Sequence, residues 1–571
     1  MFRRAGLVGV AACVAAGAWL SASAQQKVRR LPVAEYVDKM KAGWVGQMAG
    51  VGWGAPTEFK WKGAIIPEDR MPKWKPGMIN QFRQDDIYVE MTFLRSLELY
   101  GLDVSIRQAG IDFANSGYPL WHANRAGRDN LRRGIAPPDS GHPKFNKHAD
   151  DIDYQIEADY SGLIAPGLPN FAIRLGEVFG RLMNYGDGLY GGQFVGGMYA
   201  EAFFEADPVK IVQAGLKCVP KGSQYHECIS DVLKWHEANP GDWQKTWQLI
   251  EQKYQKNPAY RRASCNKGDF NIDAKINGAY IVMGLLYGDR DPDKTIVIST
   301  RCGQDSDCNP SNAGGVLFTT IGFAKLPDRF TSAIDPKGKF SHTPYTFPAL
   351  IEVSKKLVRQ AVVQAGGKIE TGADGEEVFV IPVQRPKPTK LEQCWQAGPA
   401  AGSVFTDEEK AKIKPPAPRR REGRSAAKVD IGQAVAKFAP GWAVANCGGE
   451  MDPGLRGEWG GRKNVLVTHP LSTSTPCVLS RTVAVSPGGA VLRLLVAPDP
   501  RGDWTLAVKA DGKEIKKQKI SKSTAADGWL TVTVDLAAYA GKSVKLELAN
   551  RADGWSWEAG YWAEIAVEEK K

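Results

Sequence analysis

The sequence predicts two unlike domains in series, an all-α domain followed by a β-sandwich of jelly-roll type. Three observations predict it. Residues 31–365 carry apolar side chains at helical spacing, punctuated by Gly, Pro and Asn clusters. From about Gly441 the apolar residues come instead in short strand-like runs between turn residues. Between the two regimes, Lys410 to Lys428 is basic and proline-rich, the composition of a solvated linker. A chain of 571 residues also exceeds what one hydrophobic core ordinarily serves.

In chain order, Met1 to Ala24 reads as an export signal: Arg3 and Arg4, an apolar run from Ala5 to Leu20, then the small residues Ser21-Ala22-Ser23-Ala24. Reading Cys13 as a lipoprotein anchor leaves a very short apolar run. No later stretch is long and apolar enough to span a membrane, so an exported protein, periplasmic or secreted, is expected. The expected divisions are a signal at 1–24, the helical domain at 25–370, a connector at 371–440 and the sandwich at 441–571. Helices are predicted over 34–48, 87–100, 104–116, 172–184, 192–206, 227–237, 243–256, 274–286, 313–323 and 348–364. Glu377 to Pro382 is strand-like, and the sandwich strands fall at 465–467, 478–485, 491–496, 504–508, 529–536, 544–548 and 561–567.

Two acidic pairs stand at helix starts. Asp305 and Asp307 lie in Gly303-Gln304-Asp305-Ser306-Asp307-Cys308, with Pro310 suited to a first helical turn. Asp85 and Asp86 follow Gln84 and precede a run with Ile87, Met91 and Leu94 on one face. An acidic pair there serves as an N-cap and dipole partner, or as an anchor for a hard cation that wants oxygen ligands. The pattern is not an EF-hand, since Pro310 and Val316 stand where its Gly and Glu belong.

These motifs resemble those of the ADP-ribosylglycohydrolase family. Gln304 to Cys308 is similar to its Gly-Asp-Thr-Asp-Thr signature and Gln84 to Ile87 to its Thr-Asp-Asp-Thr. Gly52-Trp53-Gly54-Ala55-Pro56-Thr57-Glu58 is similar to its Gly-Asp-Ala-Leu-Gly-Ala-Pro-x-Glu. The resemblance implies an all-α fold, with Asp85, Asp86, Asp305 and Asp307 as metal ligands and Glu58 as a candidate acid or base. It implies Mg²⁺, and the departures (Gln84, Ile87 and Cys308 for threonines) leave one or two ions, Mg²⁺ or Ca²⁺, open. The implied chemistry is hydrolysis of an N- or O-glycosidic bond by an activated water.

Trp121 to Pro169 breaks the helical pattern and reads as a long polar wall. Within it Asp151 is the candidate base or substrate contact, with Asn130 and His148 as substrate-binding residues. The glycine-rich turn Asn184 to Gly192 adds Tyr185 and Asp187 to the substrate-binding candidates. Trp555 and Trp557 read as core aromatics of the sandwich, or as rings for a glycan contact through that domain. Nine cysteines, one of them Cys13, leave an even number in the mature chain, with Cys218–Cys228 and Cys447–Cys477 as pairs to test.

The formal charge of +11 is concentrated in the linker, and no nucleic-acid motif accompanies it. The resemblance implies a carbohydrate or an ADP-ribosyl substrate as the partner. Export favours an extracellular glycan or glycoside. An ADP-ribosyl conjugate, its pyrophosphate held by the wall's arginines, is the alternative, and a catalytically silent glycan-binding protein a third reading.

Overall fold

A computed structural model of the protein describes residues 27–415, 430–554 and 557–570. The export signal with Cys13, the basic run after residue 415 and Trp555 lie outside the described residues. The chain divides into two compact units at Arg419/Arg420.

The first unit is built around α1 (Val33–Gly54), whose residues from Ala42 onward are all buried. A helix buried on every side is the centre of its domain. Its residues Gly46 and Gly50, one turn apart, press against α7 (Cys308–Ile321). A Cβ on Gly46 would lie 2.3 Å from the Gly314 carbonyl oxygen, and one on Gly50 2.1 Å from that of Pro310. Only glycine permits that approach. Around this pair stand α2 (Asp85–Tyr100), α3 (His122–Arg132), α4 (Asp187–Ala202), α5 (Ala274–Tyr287), α6 (Pro292–Arg301) and α8 (Phe347–Gln364). Gly101 stops α2 in the left-handed region, at φ 82°.

One small antiparallel sheet completes the helical unit: β1 (Val28–Pro32), β2 (Lys368–Thr371) and β3 (Glu377–Pro382), in the order β1-β3-β2. Beyond β3 the chain stays on this unit. Arg107 pairs with Glu409, and Asn115 donates to the Lys412 carbonyl. The segment 371–440 is therefore not one connector: its first part closes the helical unit, and α9 (Ile431–Phe438) buries Ala434 and Val435 in the core of the second.

The stretch 121–169 is not an open wall either. It holds α3 and two short helical turns, Asp153–Ile156 and Asp159–Leu163, and is largely buried. Its polar side chains are bonded inside the fold, largely to backbone groups and to other segments, so helical turns there carry no apolar periodicity.

The second unit is a sandwich of two five-stranded antiparallel sheets. Its strands are β4 (Ala443–Ala445), β5 (Gly454–Trp459), β6 (Arg462–Thr468), β7 (Cys477–Ala484), β8 (Ala490–Pro498), β9 (Trp504–Ala510), β10 (Lys513–Ile520), β11 (Leu530–Asp535), β12 (Ser543–Arg551) and β13 (Gly560–Glu569). The sheet orders are β10-β9-β12-β7-β4 and β11-β8-β13-β6-β5. Inward residues such as Leu466, Leu492, Leu506 and Leu546 fill the core with Trp504 and Trp562. Trp557 is no core residue: it is 42% exposed, with the Arg501 guanidinium 3.5 Å from its ring centre. All eight described cysteines are free thiols. Cys218 and Cys228 are each hydrogen-bonded to a different backbone carbonyl, of Ala214 and Lys275, whereas the thiols of Cys447 and Cys477 are hydrogen-bonded to each other.

Candidate active site and metal centre

The close packing of α1 on α7 sets the site. A Cβ on Gly54, the last residue of α1, would lie 2.1 Å from the Ser306 carbonyl oxygen, so the chain leaving α1 runs against the Asp305–Asp307 turn. The Thr57 and Ser306 hydroxyls are 2.8 Å apart, and Glu58 follows. Asp307 immediately precedes α7, while Asp85 and Asp86 open α2. Both pairs therefore sit at the positive ends of helices.

The acids converge. Ligand oxygens of Glu58, Asp305 and Asp307 lie within 4.8 Å of one another, as do the ligand atoms of Asp86, Asp307 and Cys308. Above them is a cavity of about 440 Å³. Glu58, Asp85, Asp153, Asp305, Gln84 and Cys308 form its polar lining, and Phe59, Trp121, His122, Ile152, Ile156, Phe270 and Ile272 its walls. Phe59, His122 and Gln304 hold left-handed backbone conformations, with φ of 50°, 43° and 56°. Strained backbone of this kind gathers at functional sites.

Crowding raises the acids' proton affinity. Burial, then the charge of Asp307, pushes Asp85 up to about 7. Glu58 rises to about 8 through desolvation of its carboxyl, then Asp307 and Asp85, although the residue as a whole is exposed at the rim. Asp86, Asp305 and Asp307 also shift upward, burial first. Asp153 rises to about 6 by burial, held back by His122 and by the backbone N–H groups of Ala123 and Asn124.

Asp86 Oδ1 and Asp305 Oδ1 are buried without a hydrogen-bond partner, and none of the residues lining the cavity is lysine or arginine. Orphaned carboxylate oxygens with no counter-charge fit a hard divalent cation. The Cys308 thiol donates to Asp86 Oδ2 over 3.3 Å. Burial raises its pKa well above that of a free thiol, and a neutral thiol is a poor partner for a hard cation.

Of the residues expected from sequence, Glu58, Asp85, Asp86, Asp305 and Asp307 meet here. Asp151 does not reach the cavity: it is fully buried, its Oδ2 2.8 Å from His148 Nδ1, and Asp153 takes the lining position two residues on. His148 belongs to that buried group. Asn130 is buried and donates to the Ser140 and Phe145 carbonyls at 2.8 and 3.0 Å. The Tyr185 hydroxyl accepts from the Gly398 N–H at 3.2 Å, and Asp187 is 4.0 Å from Lys275 in the core. These are structural posts. Arg128 and Arg132 likewise donate to backbone carbonyls at 114–118, and Arg133 to the Asn130 side chain.

Sequence reasoning missed the layer beneath. Glu90 accepts from Gln47 Nε2 and the Tyr160 N–H, at 2.5 and 2.9 Å. Asp159 accepts from the Tyr199 hydroxyl and Asn312, and Glu157 from Asn124. Glu90 was findable, since it lies one helical turn after Asp86 on the same face of α2.

The sequence model for ADP-ribosylglycohydrolase matches residues 32–363, more than half of the chain. The chain belongs to the ADP-ribosylglycohydrolase family. A solved structure titled as an ADP-ribosylglycohydrolase-related protein complex is 15% identical, with a TM-score of 0.36 over 57% of this chain and 99% of that one. TmCBM61 in complex with beta-1,4-galactotriose is 14% identical (TM-score 0.19, 24% of this chain, 95% of that one). The CBM36-1 domain of a multidomain xylanase from the hindgut metagenome of Trinervitermes trinervoides is 13% identical (TM-score 0.15, 23% and 98%). Likenesses this slight say nothing of ligands. No curated protein matches the chain in sequence.

Proposed function

We propose that the protein is an exported, divalent-cation-dependent glycosidase that hydrolyses an N- or O-glycosidic bond in an extracellular glycan or glycoside. The observation that carries this reading is the convergence of Glu58, Asp85, Asp305 and the buried Asp86 and Asp307 on one cavity without a neutralising side chain. Asp85, Asp86, Asp305 and Asp307 hold one or two Mg²⁺ or Ca²⁺ ions. When bound, the cation supplies positive charge for sugar hydroxyls and for a water. Glu58, at the rim and readily protonated, exchanges a proton with the leaving group or the water. Asp153, also in the lining and held by two backbone N–H groups, offers negative charge to the developing oxocarbenium. The exposed Trp121 indole and the edge-on pair Phe59–Phe270 give apolar faces for a sugar ring.

A plain sugar is favoured over an ADP-ribosyl group by the same lining, since a pyrophosphate wants arginine or lysine donors, none lines the cavity, and Arg128 and Arg132 of the wall are turned to backbone carbonyls. The test is a hydrolysis panel on the mature protein, with and without chelator, covering aryl glycosides, mixed plant and bacterial glycans and ADP-ribosyl-arginine. Chelator-sensitive release of sugar is expected. Release of ADP-ribose alone overturns the substrate class. Glycan binding without any turnover overturns the enzyme reading.

A further inference from the structure

A second cluster lies behind the cavity wall, chemically unlike the first. His148 Nδ1 lies 2.8 Å and His122 Nδ1 3.2 Å from the same oxygen, Asp151 Oδ2, and Cys265 Sγ lies 3.4 Å from it. One ligand atom from each of these four residues falls within 4.8 Å of the other three. Asp151 is fully buried, and the buried His122 Nδ1 is paired with its carboxylate. The imidazoles meet edge to face, their ring centres 5.2 Å apart.

Such convergence has an ordinary explanation in part, because His148 and Asp151 form a good hydrogen bond. That bond does not account for a second imidazole and a thiol brought to the same oxygen from two other parts of the chain. A tetrahedral zinc with bonds of ~2.0–2.3 Å separates its ligand atoms by roughly 3.3–3.8 Å, the scale of the spacings around Asp151. Two imidazoles, a carboxylate and a thiolate are a donor set that selects zinc over magnesium. Two anionic and two neutral ligands also leave the loaded site uncharged, which suits its burial.

We propose that His122, His148, Asp151 and Cys265 form a structural zinc site, separate from the carboxylate centre. On binding, the Cys265 thiol proton passes to solvent, and each imidazole keeps its one proton on Nε2 while Nδ1 meets the metal. With four protein ligands the site has no open position and therefore holds structure rather than turning over substrate. It ties the start of α3, the 148–151 turn and the 261–270 loop together. His122 and Phe270, on two of those segments, line the cavity, so the zinc is a staple for the cavity wall. This inference does not rest on the proposed reaction, and its test does not read activity.

The mature full-length protein is dialysed against metal-free buffer, its zinc measured by mass spectrometry, and the metal exchanged for cobalt(II). About one zinc per chain is expected. The cobalt form is expected to show a thiolate-to-cobalt charge-transfer band with tetrahedral ligand-field bands. Cys265→Ser is expected to lose the charge-transfer band and His148→Asn to lose the zinc, while Asp307→Asn and Cys308→Ser keep both. Folded wild-type protein that holds no zinc and gives no thiolate–cobalt band overturns the site, whether or not the variants fold. So does a Cys265→Ser protein that retains the band.

Discussion

Asp85 shows most plainly what the site demands of a single residue. Its carboxyl, ordinarily near 4, is pushed up to about 7 by burial and by Asp307. In the absence of a cation, ionising it therefore costs the folded state stability. The cost is nil below about pH 4, grows through the window up to about 7, and is complete above it. Chelator-treated wild type should accordingly lose melting temperature relative to Asp85→Asn as pH rises from 4 to 8. A difference that stays flat with pH contradicts the assignment. The Asp pairs were legible because both stand at helix starts within motifs that resemble the family's signatures. The choice between Asp151 and Asp153 was not legible. Asp151 pairs with Asp273 in an isolated bridge, which turns it into the wall, and only that long-range contact tells the two acids apart.

Among elements, the α1–α7 contact controls the site. Gly50 faces a backbone carbonyl that cannot swing aside, so Gly50→Ala must separate the two helices. A loss of about 2–3 kcal/mol in urea unfolding is expected, with weaker cation binding, because Glu58 and the Asp305–Asp307 turn are carried on the two elements. Unchanged stability would mean that the approach is not close. Helices with a regular apolar period, such as α2 and α8, were predicted to within a few residues. The 121–169 stretch was not, because its buried Asn124, Asn146, Asp153, Glu157 and Asp159 are hydrogen-bonded inside the fold, Asn124 to Glu157 and the others to backbone groups or to side chains of distant segments, and hide the core face. β10 escaped notice for a different reason. It is an edge strand, and Lys513, Lys516, Lys517 and Lys519 give it the charge that keeps an edge from pairing with another chain.

At the scale of the whole molecule, a chain of net charge +11 gathers six acids at one cavity mouth and floor, with no lysine or arginine in the lining. That inversion of charge is the central feature, and a bound cation would neutralise it. The order of a helical domain before a β-sandwich was legible from the change in hydrophobic period. The exact division was not, since residues 371–415 carry little periodicity of their own and owe their place to contacts with the helical unit. The most direct measurement is a calorimetric titration of Mg²⁺ and of Ca²⁺ into chelator-treated mature protein, beside Asp307→Asn. The account predicts saturable binding of one or two ions to the wild type, weakened at least about 10-fold in the variant, a loss of about 1.4 kcal/mol or more. Wild-type protein that takes up neither ion, or a variant that binds as tightly, would contradict it.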